Sequence, residues 1–138
     1  MGAWDYGVYD DDTAYDYLPD LKEADNIITL MEQYFDDVIS ADYIEYDNGI
    51  AALVAAAVID SAMNGTAYRC DGENLPEWIA TLKGIDFSPI LSKAAVAITA
   101  VISENSELQE LWSDNKELYP SWLKEKEDIR ERLSKQMS

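Results

Sequence analysis

The sequence contains no histidine. That removes the commonest general base near neutral pH and the commonest zinc ligand. Its serines have no imidazole to activate them, and no motif supports a Ser–Lys arrangement in its place. A single cysteine, Cys70, excludes an internal disulfide and fits a reducing compartment. Its neighbours pull its acidity in opposite directions, Arg69 lowering it and Asp71 and Glu73 opposing, so a thiol nucleophile is not indicated. There is no glycine-rich phosphate loop. No apolar run reaches the ~20 residues a membrane helix needs, and none follows a basic start. The expectation is therefore a cytoplasmic chain without signal peptide or membrane anchor.

Positive charge is also scarce. Ten Lys and Arg stand against 28 Asp and Glu, a net charge of −18. Solubility of a small domain needs only about 2 to 8 charges, and the excess destabilises the compact state by self-repulsion. The charge is unevenly placed. Residues 1–48 hold 14 acids and one base, Lys22, a net −13, together with seven of the nine tyrosines. Residues 116–138 hold six bases and five acids. A solvated acidic surface or salt adaptation would account for the composition alone. A tyrosine-studded acidic face made for a basic partner accounts for the asymmetry as well. Such a surface repels nucleic acid and anionic lipid, so direct binding to either is not expected.

Hydrophobic content of 48% is enough for a core, and 138 residues suggest one domain, 1–138. Its centre is Asn48 to Gly65. Ile50 to Ile59 carries no polar side chain and is rich in the helix former Ala. Asn48 suits the N-cap and Gly65 the left-handed residue past the end. A helix apolar on all sides belongs inside. Ser88-Pro89 opens a second Ala-rich helix over Ile90 to Ile102, expected to pack against the first as a buried central pair. Other helices follow from local signals. A short one spans Thr13 to Leu18, ended or kinked at Pro19. A longer one starts at a capping box, Asp20 to Glu23, with Leu21, Ala24, Ile28, Met31, Phe35 and Val38 as its inner stripe. Leu75 to Leu82 is short and stops at Gly84. Ser106 and Gln109 have capping-box spacing before Trp112. Pro120 opens the last helix, with Trp122, Ile129, Leu133 and Met137 inward and Lys124, Glu125, Arg130 and Arg132 outward. No run alternates with period two. The predicted fold is all-α, a compact bundle of six to seven helices around two buried Ala-rich ones. Trp4 is expected to anchor the opening segment to the core.

The opening, Gly2-Ala3-Trp4, Tyr6-Gly7, Asp10-Asp11-Asp12-Thr13-Ala14 and Asp16-Tyr17-Leu18, resembles a bacterial family described as domain of unknown function 4259. The likeness continues into Ala51 to Ala57, Glu110-Leu111-Trp112 and Trp122-Leu123, and so covers most of the chain. Asp5, Tyr9 and Tyr17 stand where the family often has Gly, Phe and Trp. The resemblance supports the fold reading and implies no established activity.

A small acidic helical protein without catalytic groups reads as a binding protein and not as an enzyme. The first reading is an immunity protein or inhibitor that neutralises a basic toxin, a nuclease, by covering its positively charged site. The alternatives are a nucleic-acid mimic that occupies another basic protein, and a carboxylate-based metal-binding protein or enzyme. Tyr6, Tyr9, Asp10, Asp11, Asp12 and Asp16 are the leading partner-binding candidates. Asp36, Asp37, Asp42, Tyr43, Glu45 and Tyr46 form a second group. Asp10 to Asp16 fail the calcium-loop pattern, because position five is Ala14 and position twelve is Leu21. No cofactor or metal site is expected. Calorimetry with calcium, magnesium and manganese should detect no binding tighter than about 0.1 mM; micromolar binding abolished by Asp12→Asn would reverse that expectation.

Overall fold

A computed structural model describes residues 5–68 and 75–137. Trp4 and Cys70 lie outside the described residues, and with them the expected anchor. The described residues form seven α-helices and no strand: α1 (Asp12–Glu23), α2 (Ile27–Ile39), α3 (Tyr46–Asn64), α4 (Leu75–Ala80), α5 (Leu91–Val101), α6 (Glu107–Ser113) and α7 (Tyr119–Lys135). A 3-10 turn, Ser88–Ile90, precedes α5.

Every residue of α3 from Gly49 to Ser61 is buried. The helix has no wet side because its neighbours α1, α2, α5, α7 and α6 form successive contacts around it, with α4 near its end. Gly65 ends it in the left-handed conformation, φ 71°, and its N–H returns to the Ser61 carbonyl. The start lies two residues before Asn48: Glu45 occupies the cap position and makes no side-chain cap bond. Gly49 is fixed by packing. A Cβ there would meet Leu108 Cδ1 at 2.7 Å, so glycine lets α6 approach the backbone of α3.

α5 is less central than the sequence suggests. Leu91, Ala94, Ala97, Ile98 and Val101 face inward, whereas Val96 is 52% exposed and Thr99 is exposed. Three neighbours, α2, α3 and α7, cover one side of it. Its exposed positions are Ser92, Val96 and Thr99, so Val96 is the one large apolar side chain it leaves in water.

α1 differs from expectation more. It continues past Pro19 to Glu23, so the proline does not end it. Ala14, Leu18 and Leu21 lie at helical spacing and are all buried, so the apolar stripe holds the helix together across the missing rung. The break falls instead at residues 24–26. Asn26 caps α2, accepting from Thr29 N at 3.2 Å, and the Asp20–Glu23 box is not used. Ala24 accordingly leaves the inner stripe, and Ile27 enters it.

Met137 lies past the end of α7 and is 47% exposed, and within the helix Lys126 takes the inner position between Trp122 and Ile129. Spacing points inward at 126; charge argues outward, and the ion pair described below settles the conflict. Val54, fully buried in α3, generates a stability prediction: Val54→Asp should cost at least about 3 kcal/mol in chemical denaturation, because its carboxylate has no partner there. An unchanged denaturation midpoint would show that α3 is not the centre.

Candidate functional site

The opening loop, residues 5–11, turns its acids inward. Asp10 is 6% exposed and Asp11 3%. Asp10 Oδ2 accepts from Gly7 N at 3.1 Å while Asp10 N donates to the Gly7 carbonyl at 3.0 Å. A Cβ on Gly7 would stand 2.6 Å from that carboxylate, which is why the turn takes glycine. Asp11 caps α1 by accepting from Thr13 N at 2.8 Å, and its other oxygen accepts from the Tyr46 hydroxyl. Tyr9 is buried, edge-on to Tyr68 with centroids 5.7 Å apart. Tyr9, Asp10 and Asp11 are therefore corrected from partner-binding candidates to structural residues. Their acids satisfy N–H groups that the turn and the helix start would otherwise leave bare.

The remaining candidates stay accessible, Tyr6 partly. Asp12 and Asp16 are exposed on α1, Asp37 on α2, and Asp42, Tyr43 and Glu45 on the α2–α3 connection; Tyr46 is half-buried. Asp36 is exposed but shares Lys93 with Glu32, at 3.0 and 3.1 Å, so its charge is partly met.

The two candidate groups adjoin at the Tyr46–Asp11 bond. From there a single acidic face extends both ways. Tyr17 feels Asp47, Asp16, Asp20 and Asp37, carboxylates from three helices, and packs edge-on against Tyr34 at 5.5 Å. On the other side α6 brings in two acids. Tyr43 Oη donates to Glu110 Oε2 at 3.1 Å, and Glu107 Oε1 accepts from Tyr46 N at 3.0 Å. This register is set by a bridge: Ile44 N donates to the Asn105 carbonyl at 2.8 Å and Glu107 N to the Ile44 carbonyl at 2.9 Å. Asn105, φ 68°, is left-handed, a conformation asparagine tolerates better than most residues. Asp47 acts on both Tyr17 and Tyr46, and Glu107 on both Tyr46 and Tyr43, so these carboxylates link the tyrosines electrostatically. Among the described residues, the charges that raise these phenols are carboxylates. Glu107, Glu110, Asp20 and Asp47 were missed as site residues, because only the folded chain brings them beside the tyrosines.

Two further polar features lie elsewhere. Asp60 is fully buried in α3 and takes Arg132 Nη2 at 2.8 Å, while Tyr68 Oη donates to it at 2.5 Å. Arg132 is thus drawn from the expected outer face to hold α7 against α3. Asp60 is the one charge between Asp47 and Arg69, a visible signal in an apolar run. Lys126, 1% exposed, pairs with Glu125 and donates to the Tyr6 carbonyl at 2.7 Å, fastening the opening loop to α7. Burial pushes its acidity up, lowering its pKa, against the opposing pull of Glu125 and Asp10.

Burial first, and carboxylates second, push the Tyr17, Tyr34, Tyr43 and Tyr46 hydroxyls above the ordinary value of 10.0, Tyr34 to about 12. Burial and Asp60 raise Tyr68 likewise. In each case the folded state holds the proton longer than the unfolded chain. Their stabilising contribution is intact below pH 10 and is lost as pH rises from there towards 12 and beyond. Tyrosinate absorbance should show these groups ionising later than free tyrosine, with the melting temperature falling over the same alkaline range. Ionisation of all nine tyrosines at the free value would contradict the geometry of the face.

Among the described residues, no group of three or more His, Cys, Asp or Glu is arranged to hold a metal ion, and no helix is long and apolar enough to cross a membrane. Comparison with curated proteins and with solved structures found no match. The family model described as "Domain of unknown function (DUF4259)" matches residues 2–125 of the 138-residue chain, and the protein belongs to that family.

Proposed function

We propose that this protein is an acidic binding protein that docks a basic protein partner through the tyrosine-bearing face of α1, α2, α3 and α6. One observation carries the reading: Tyr17, Tyr43 and Tyr46 lie beside carboxylates from four helices, Tyr46 donating to Asp11 and Tyr43 to Glu110, and no ion pair among the described residues meets Asp16, Asp20, Asp37, Asp47, Glu107 or Glu110. Folding would be more stable with these acids dispersed. A partner that supplies the missing positive charge relieves that repulsion when it binds.

The finer reading is an immunity protein or inhibitor that covers the cationic site of a toxin, a nuclease whose substrate is a chain of anionic phosphodiesters. The carboxylates stand in for phosphates and steer the encounter, and tyrosine rings supply contact area and off-rate. No catalytic chemistry is assigned to the chain, which acts by occupancy.

The revised contact set is Asp12, Asp16, Asp20, Asp37, Asp42, Tyr43, Glu45, Asp47, Glu107 and Glu110, with half-buried Tyr17 and Tyr46 between them; Tyr6 is left out, because its loop is fastened to α7 through Lys126. Charges on such a surface are screened with a Debye length of ~8 Å at physiological ionic strength. Association with the partner captured from the source cell should therefore slow as salt rises, while dissociation changes less. Neutralising Asp16, Asp37 and Asp47 together should lower the on-rate, whereas Tyr43→Ala should raise the off-rate. The captured protein should be basic and should lose its activity on binding. A partner with an acidic contact face, or an on-rate indifferent to salt, contradicts the reading.

A further inference from the structure

Two pairs of residues share one pattern where α1 meets α2. On α1, Tyr17 is followed three residues later by Asp20; on α2, Tyr34 is followed at the same spacing by Asp37. That spacing puts each tyrosine and its acid on one side of their helix. The two helices pack together, and the two rings meet edge to face, with centroids 5.5 Å apart and planes at 75°. The ring contact therefore brings the acids of both helices to one place. Asp16, one turn before Asp20, and Asp47, in the first turn of α3, complete the surround.

These groups are not spent on the fold. Tyr34 is only 9% exposed, yet no described residue hydrogen-bonds its hydroxyl. Buried polar groups are normally paired, and an unpaired one costs free energy. The hydroxyl is the end turned to the acids, because Asp20 and Asp37 both act on it. Its oxygen can accept from an N–H donor. No ion pair or hydrogen bond among the described residues meets Asp16, Asp20, Asp37 or Asp47. Lys22, on α1, stands over the Trp78 ring at 5.8 Å, and Lys93, which reaches α2, is held by Glu32 and Asp36.

The arrangement of acceptors restricts what fills the seat. They surround the rings without converging: among the described residues, no three acids are placed to hold one metal ion. A compact ammonium, like a metal ion, would meet them one or two at a time. A guanidinium is planar, carries five N–H donors in a fixed fork and is weakly hydrated, so it reaches separated acceptors and lies against an aromatic face. Half-buried Tyr17 leaves part of its ring for that contact. We infer that this seat takes an arginine side chain of the basic partner, its fork shared between Asp20 and Asp37 and one N–H on the Tyr34 oxygen. The inference rests on the docking reading for the source of that arginine.

The test is an amide NMR titration of the wild-type protein with Nα-acetyl-L-arginine methylamide at constant ionic strength. The amides of residues 16–20 and 34–37 should shift and saturate. The half-open cleft of about 370 Å³ beside Arg132 is the internal control, because its acids are already engaged: Asp5 accepts from Tyr6 N at 2.8 Å, Asp10 from Gly7 N at 3.1 Å, and Glu125 pairs with Lys126. The amides of residues 66–68 and 125–132 should therefore not move. Nα-acetyl-L-lysine methylamide carries the same charge without the fork and should bind at least about fivefold more weakly, the scale of one cation–π or hydrogen-bond contact. Tyr34→Phe keeps the ring pair and removes only the hydroxyl. It should weaken the arginine compound about fivefold, the net of one hydrogen bond, while the helical circular dichroism is unchanged. Three results overturn the inference. The first is no saturable shift at residues 16–20 and 34–37 at roughly 20 mM. The second is a lysine compound that binds as tightly as the arginine one. The third is a Tyr34→Phe protein that binds as the wild type does. No partner is present in this titration, so the two readings fail separately. An empty seat beside a captured basic partner that still binds removes the arginine and leaves the docking surface. A filled seat beside a captured partner that is not basic removes the docking reading and leaves the seat.

Discussion

An α-helix with apolar side chains all the way round has no face to give to water, and α3 is such a helix. Its burial requires neighbours on every side, and the chain supplies them in short helices. The outer helices need only one apolar stripe each, and their remaining surface is free to carry charge. Small side chains on α3 set how close those neighbours come. Gly49 against Leu108 is the tightest example: the absence of a Cβ seats α6, and α6 in turn places Glu107 and Glu110 beside Tyr46 and Tyr43. The acidic face thus depends on packing that begins in the core.

Electrostatics divides the molecule into two kinds of charge. Some is structural and turned inward: Asp10 and Asp11 satisfy backbone N–H groups, Asp60 holds Arg132, and Lys126 holds the Tyr6 carbonyl. Removing one member of a buried pair leaves the other uncompensated, at a cost of about 3–5 kcal/mol, so these charges are fixed by the fold. The rest lies on the surface, where single charges contribute little to stability. The carboxylates around Tyr17, Tyr43 and Tyr46 belong to this second kind. Glu107 and Glu110 among them accept from Tyr46 N and Tyr43 Oη, but no ion pair among the described residues meets Asp16, Asp20, Asp37 or Asp47, and that is the reason for assigning the face to a partner.

Much of the fold was legible because its signals are local. The apolar run of α3, its Gly65 terminus, the Ser106 cap, which accepts from Gln109 N at 3.4 Å, and Pro120 in the first turn of α7 can each be read from a few residues. Pro19 does not end α1, because the buried Ala14, Leu18 and Leu21 stripe outweighs the one backbone hydrogen bond a proline removes. The site was less legible. Asp10 and Asp11 look like surface acids in sequence, and nothing local says that Gly7 and Tyr46 will claim them. Lys126 has the spacing of a core residue and the chemistry of a surface one, and only the neighbouring loop decides between them. Glu107 and Glu110 lie more than 60 residues from the tyrosines they join. Such pairings are properties of the folded chain.

The central claim is that the carboxylate-ringed tyrosines form the surface that meets a basic protein. Hydrogen exchange of this protein, alone and saturated with its captured partner, tests it most directly. The account predicts slower exchange on binding at residues 12–20, 42–47 and 107–110, with the outer side of α5 around Val96 unchanged. Protection concentrated on α5, or on the cleft beside Arg132, with residues 42–47 unaffected, would contradict it.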